Sequence, residues 1–193
     1  MSEPGIVVDH SGVPRCWWAA GTEDYLGYHD HEWGVPVHGE TRLYERLMLE
    51  AFQSGLSWLT ILRKREGFRA AFAGFDADVV AAFGQGDFER LMADNSIVRN
   101  RLKIRAAVTN AQAVVALRER GGLDDLFWSF APAGHRPPRT PGDVPANTAE
   151  SGELAKTLKR NGFVFVGPTT AYAGMQACGL VNDHLAGCHR AET

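Results

Sequence analysis

With 193 residues, 45% of them hydrophobic and 22% charged, the chain has the balance of a soluble globular protein, either one domain or two small ones around a shared cleft. No apolar run approaches the roughly 18 residues of a membrane span, and "MSEPGIVVDHSG" lacks the basic start and apolar core of a secretory signal, so a cytoplasmic protein is expected. The net charge of −3 argues against a long non-specific footprint on nucleic acid but permits a local basic patch, for which Arg99, Arg101, Lys103 and Arg105 in "VRNRLKIR" are candidates, a solvated helix face being the plainer account.

Residues 1–13 read as a flexible extension ahead of a single unit over 14–193. After an aromatic-rich segment, "ETRLYERLMLEAFQSG" has an amphipathic helical pattern with Thr41 as N-cap. "LSWLTILRKREGF" continues as a second helix ending near Gly67. Short helices follow, opened by Asp76 and Asp87. A longer one runs from about Arg99 to Arg120, and two glycines close it. "DDLFWSF" adds a short helix, and the five prolines of "APAGHRPPRTPGDVPA" mark a loop. Asn147 with Glu150 suggests a capping box for a helix through Arg160, closed by Gly162. "FVFV" is the one strand-like pattern, and Pro168 is placed to open a last long helix. The expected fold class is all-α.

Three cysteines are too few, and odd in number, for a disulfide framework. Cys178, among apolar neighbours, reads as a core residue. His184 and Cys188 are four positions apart, one turn on the same face of a helix, and suit a metal. Cys16 and His29 would complete a Cys2His2 set from the other end of the chain, although His31, His38 and His189 keep the set open, and unpaired histidines with buried thiols remain the alternative.

Trp18, Tyr25, Tyr28 and Trp33 crowd one segment, with Trp58 close behind. Flat aromatic faces stack on nucleobases and attract cations, although any single one is more often a core residue. Glu50, in "LMLEAF", sits among apolar residues, where a carboxylate must be solvated, paired or facing a cavity. The turn at Gly167, followed by Pro168 and Thr169 at a helix start, offers amides that suit a phosphate.

Taken together, "RCWW", "YHDHEWGVP", "LYERLMLEAFQSGLSWLTIL", "FDADVVA", "IVRNRLKIRAAVTNA", "LFWSF" and "GFVFVG…MQACGLVNDHLAGC" resemble the DNA-3-methyladenine glycosylase I family, in the family's order and over nearly the whole chain. The resemblance implies a helical fold related to the helix-hairpin-helix DNA glycosylases, in two lobes around a base-binding cleft. Its termini would be joined by a structural zinc on Cys16, His29, His184 and Cys188. It implies Glu50 as the carboxylate that recognises the base and matters for catalysis. Tyr28 and Trp58 would stack on the base, and Trp18, Tyr25 and Trp33 would complete the wall. Gly55 and Leu56 fall where the family wedges the duplex, and Gly167 with Thr169 where a hairpin holds the DNA backbone. The implied activity is hydrolysis of the N-glycosidic bond of 3-methyladenine in alkylated double-stranded DNA, leaving an abasic site. No obligate protein partner is evident and a monomer is expected.

Two positions depart from pattern. "VNDH" puts Asn182 where many helix-hairpin-helix glycosylases carry an aspartate that assists departure of the base, and on a helix the adjacent Asp183 would point about 100° away. Ala173 stands where the family leads one to expect a serine near the base. The alternative from a different class is a zinc-stapled helical DNA-binding module that senses alkylated bases without catalysis.

Overall fold

The computed structural model describes residues 4–191, and over these the chain is mostly helical. The one sheet among them is a hairpin of β1 (Ile6–Val8) and β2 (Pro14–Cys16), antiparallel with Ile6 opposite Cys16. Asp9 holds its turn by accepting from the amides of Ser11 and Val13. Residues 6–8, within the stretch expected to be an extension, are thus paired with β2. Three-residue strands are too short to announce themselves by alternation.

The helices are α1 (Glu23–His31), α2 (Glu40–Gln53), α3 (Trp58–Ala71), α4 (Ala77–Ala81), α5 (Gln85–Ala93), α6 (Arg101–Leu117), α7 (Gly122–Trp128), α8 (Ala149–Arg160) and α9 (Pro168–Ala177). No helix among the described residues is long and apolar enough to cross a membrane. Most starts have a local cause. Thr22 and Ser57 cap α1 and α3, and Asp76 and Asn100 each accept from two amides at the starts of α4 and α6. Pro168 occupies the first turn of α9.

Several boundaries differ from the sequence expectation. Helix α2 begins after Gly39, so Thr41 lies inside it. In α8 the capping pair is Thr148 with Ser151, one residue beyond the Asn147 and Glu150 pairing. Asp87 does not open α5 but reaches back from its third position to the Gly84 amide. Helix α3 runs through Gly67, where a Cβ would lie 2.6 Å from the Ser96 carbonyl oxygen. That glycine serves a close approach and does not stop the helix.

At the C-terminal end the corrections matter more. "FVFV" is no strand, because Asn110 takes up both backbone groups of Val164, accepting from its amide at 2.8 Å and donating to its carbonyl at 3.1 Å. Helix α9 stops at Ala177, and residues 178–191 run as turns. Gly179, at φ 74°, passes so close to the backbone of residues 35 and 36 that a Cβ would meet Pro36 N at 2.5 Å. His184 and Cys188 are therefore brought together by turns and not by a helical face.

Helix α2 is the centre of the core. Every residue from Leu43 to Phe52 is buried, and α3, α6, α7 and α9 all pack against it. It is enclosed on all sides, so its charged residues Glu45, Arg46 and Glu50 are buried with the rest. A buried charge is costly unless paired. Arg69 lies 2.8 Å from Glu45, and Glu32 lies 2.7 Å from Arg46. Glu50 has no hydrogen-bond or ion-pair partner among the described residues.

Candidate functional site

Beside Glu50 lies a cavity of about 450 Å³. Helix α2 contributes Glu50 and Gln53, α1 contributes Tyr25 and Tyr28, and α3 begins with Trp58 at its edge. Trp18 and Trp33, from either side of α1, line it as well, and α9 supplies Ala173 and Gln176. The rings form one connected wall. Tyr28 and Trp58 have centroids 5.2 Å apart at 46°, while Trp18 meets Trp33 edge-on at 5.1 Å and Tyr25 at 6.0 Å. Tyr25 also accepts from the Leu59 amide at 3.2 Å, so its hydroxyl holds the first turn of α3.

Burial lifts the Glu50 carboxyl to about 8, against the pull of Arg46 one turn earlier on α2. Tyr28 is pushed well above the ordinary phenol range by burial and then by Glu50, which keeps it neutral. The Arg46 guanidinium sits 5.9 Å from the Tyr28 ring centroid. The cavity thus offers aromatic faces around one carboxyl that gives up its proton readily only when a positive charge arrives beside it.

A second cluster backs this wall. Cys16, His29, His184 and Cys188 are all buried, with one ligand atom from each inside a span of 4.8 Å, and they could hold a metal ion. His184 Nδ1 lies 3.1 Å from His29 Nε2, and Cys188 Sγ lies 3.4 Å from His29 Nε2 and 3.7 Å from His184 Nδ1. Cys16 Sγ is 3.8 Å from His184 Nδ1. The outer ring nitrogens are engaged, His29 Nδ1 with Asp30 at 2.7 Å and His184 Nε2 with the Trp33 carbonyl at 3.0 Å. Such contacts fix ring orientation. Cys188 is held well below the ordinary thiol range, first by the Cys16 thiol donating to it. His31, His38 and His189 are not in the set.

Over residues 18–191 the chain matches the model of a family described as methyladenine glycosylase. The chain belongs to this methyladenine glycosylase family. It is 46% identical over 181 residues to DNA-3-methyladenine glycosylase 1 of Escherichia coli strain K12, covering 91% of this chain and 96% of that protein. It is 42% identical over 179 residues to DNA-3-methyladenine glycosylase of Haemophilus influenzae, covering 90% and 96%. A crystal structure of 3-methyladenine DNA glycosylase I superposes with a TM-score of 0.87 at 44% identity, covering 91% of this chain and 98% of that one. A structure on 3-methyladenine recognition by the Staphylococcus aureus protein gives 0.85 at 35% identity, covering 91% and 96%.

In this methyladenine glycosylase family member, every residue expected for the base pocket lines the one cavity. Gly55 and Leu56 are exposed in the turn between Gln53 and Trp58, two residues that line the cavity. Lys103 braces that turn, donating to the Phe52 and Ser54 carbonyls at 2.8 and 2.6 Å. It is buried, and Arg101 and Arg105 lie over the Phe88 ring, so "VRNRLKIR" is no uniform basic face. Gly167 precedes α9 and Thr169 is exposed in its first turn. Asn182 is absent from the cavity lining; its side chain donates to the Arg190 carbonyl and accepts from the His184 amide. The helical argument for Asp183 does not apply, since the segment is not helical. Sequence reasoning missed Gln53 and Gln176, whose only signal is a three-residue helical offset from Glu50 and Ala173.

Proposed function

We propose that the chain excises 3-methyladenine from alkylated double-stranded DNA, hydrolysing the N-glycosidic bond to release the base and leave an abasic site. The relatives' names supply the substrate. The observation that carries the reading is an unpartnered buried carboxylate, Glu50, facing an aromatic cavity. Extruding a nucleotide into the cleft costs a few kcal/mol, about what stacking in the duplex was worth. Tyr28 and Trp58 repay part of it by stacking on the base, with Trp18, Tyr25 and Trp33 closing the wall. Gly55 and Leu56 fill the gap in the duplex, and the Gly167 turn with Thr169 holds the backbone in the manner of a helix-hairpin-helix glycosylase.

Alkylation at N3 gives the purine a positive charge. The bond from C1′ to N9 breaks with its electron pair moving to the base, which leaves neutral, so little acid catalysis is needed. Water adds to C1′ and sheds a proton. Glu50 selects the cationic base over neutral adenine and stabilises positive charge on the way to the transition state. Asn182 supplies no charge to that reaction and serves the C-terminal turns.

The metal reading fits the donor set. A tetrahedral zinc with Zn–S of about 2.3 Å and Zn–N of about 2.0–2.1 Å needs nitrogen–nitrogen edges near 3.3 Å and nitrogen–sulfur edges near 3.6 Å. The nitrogen–nitrogen edge of 3.1 Å falls slightly short of the first value, and the nitrogen–sulfur edges of 3.4–3.8 Å bracket the second. Cys16, His29, His184 and Cys188 would fill all four positions, so the ion's role is structural: it ties β2 and α1 to the C-terminal turns.

The test is incubation with alkylated duplex DNA. Free 3-methyladenine should appear with matching abasic sites, and 7-methylguanine should be released little. Binding without base release would overturn the enzyme reading.

A further inference from the structure

Helix α9 shows the cavity two residues, Ala173 and Gln176, on one face. With alanine at 173, the Gln176 carboxamide is the polar group this helix brings to the cleft. Its nitrogen is already committed. Gln176 Nε2 donates to Asp183 Oδ2 at 2.7 Å, and the Tyr172 hydroxyl donates to the same oxygen at 2.7 Å. Asp183 Oδ1 lies 3.0 Å from His135 Nε2, and the residue is 3% exposed. A carboxylate offers only acceptors. The Gln176 amide therefore turns its nitrogen to Asp183, which leaves Oε1 for whatever occupies the cleft.

We propose that Asp183 is a positioning residue that fixes the Gln176 carboxamide so that the cleft selects a purine with an amino group at C6 over one with an oxo group there. The proposal rests on the assignment of the cleft to an alkylated purine. Oε1 accepts, as does Glu50 once a cationic base has drawn off its proton, and a 6-amino group has protons to give. A 6-oxo group brings lone pairs instead, and buried acceptors left without donors are costly. Adenine and guanine derivatives differ in this respect, so the device separates them without touching the alkyl group.

Two free bases with the same methyl group form the probe: 3-methyladenine and 3-methylhypoxanthine. Their binding is read from quenching of the cleft tryptophans in the metal-loaded protein. The wild type should bind the amino base about tenfold or more tighter. In Gln176→Leu that ratio should fall to within about threefold, and Asp183→Asn, whose side chain can present a donor, should lower it in the same direction. A merely structural role would weaken both bases equally. A wild-type ratio near one, or a ratio unchanged in Gln176→Leu, overturns the proposal. Gln176→Leu decides the matter if Asp183→Asn does not fold. Release of 3-methyladenine from DNA by the wild type is measured alongside, so that loss of the inference is told apart from loss of the assignment beneath it.

Discussion

Tyr28 and His29 are consecutive residues of α1 whose side chains serve different sites. The Tyr28 ring stands 5.2 Å from Trp58 in the cavity, while His29 Nε2 lies 3.4 Å from Cys188 Sγ in the buried thiol–imidazole cluster. Two further rings join the sites. Trp18 is 4.9 Å from the His29 ring, Trp33 is 4.7 Å from that of His184, and both line the cavity. The proposed zinc would therefore support the wall against which the base stacks.

Metal analysis of protein purified without chelators should find about one zinc per chain. Cys188→Ser should lower stability by on the order of 3 kcal/mol or more and redden the tryptophan emission as the wall loosens. Metal-free protein with unchanged stability and emission would rule out the structural role.

Glu50 should be costly to the fold. Its folded pKa of about 8 lies above the ordinary carboxylate value, so the folded chain holds a proton the unfolded chain has lost. Stability is then fully present below about pH 4.5 and declines as pH rises towards 8. Glu50→Gln removes this penalty and should be more stable than the wild type at pH 7.5, by on the order of 2 kcal/mol. Denaturant titrations at pH 5 and 7.5 check the sign: the advantage should be small at the lower pH and larger at the higher.

The same titration should control ligand binding. As Glu50 loses its proton, attraction to a cationic base grows, so affinity for a permanently cationic methylated purine should rise from pH 6 to 8.5 and then level off. Glu50→Gln should flatten the profile. A wild-type profile flat over that range would mean that Glu50 does not carry the charge recognition.

Lys103 should matter to the turn at Gly55 and Leu56 more than to the pocket. Lys103→Met leaves the Phe52 and Ser54 carbonyls without their donor and should cost about 1–3 kcal/mol of stability. Excision from duplex DNA should fall, while affinity for free 3-methyladenine changes little. Equal losses in both assays would show that the lysine supports the pocket directly.

How far the sequence reached follows from the range of each cause. Asp76 and Pro168 act within one turn, so they were legible as helix starts. Glu50 stood out because a carboxylate within "LMLEAF" needs a reason. The failures came from distant contacts. "FVFV" has the alternation of a strand, but its backbone groups go to Asn110, fifty-four residues earlier. Helical continuity past Ala177 is broken by the packing of Gly179 on residues 35 and 36. Nothing local in "RLKIR" reveals that Lys103 is buried beneath the end of α2. The four metal-ligand candidates could be named from their residue types, but only folding separates them from His31, His38 and His189.

The most direct measurement is single-turnover release of 3-methyladenine from alkylated duplex DNA by the wild type and by Glu50→Gln at pH 7.5, both with zinc content and folding verified. The wild type should release the free base, and the variant should be slower by roughly 10²–10³-fold. Equal rates would remove Glu50 from the mechanism and contradict the account of the cleft.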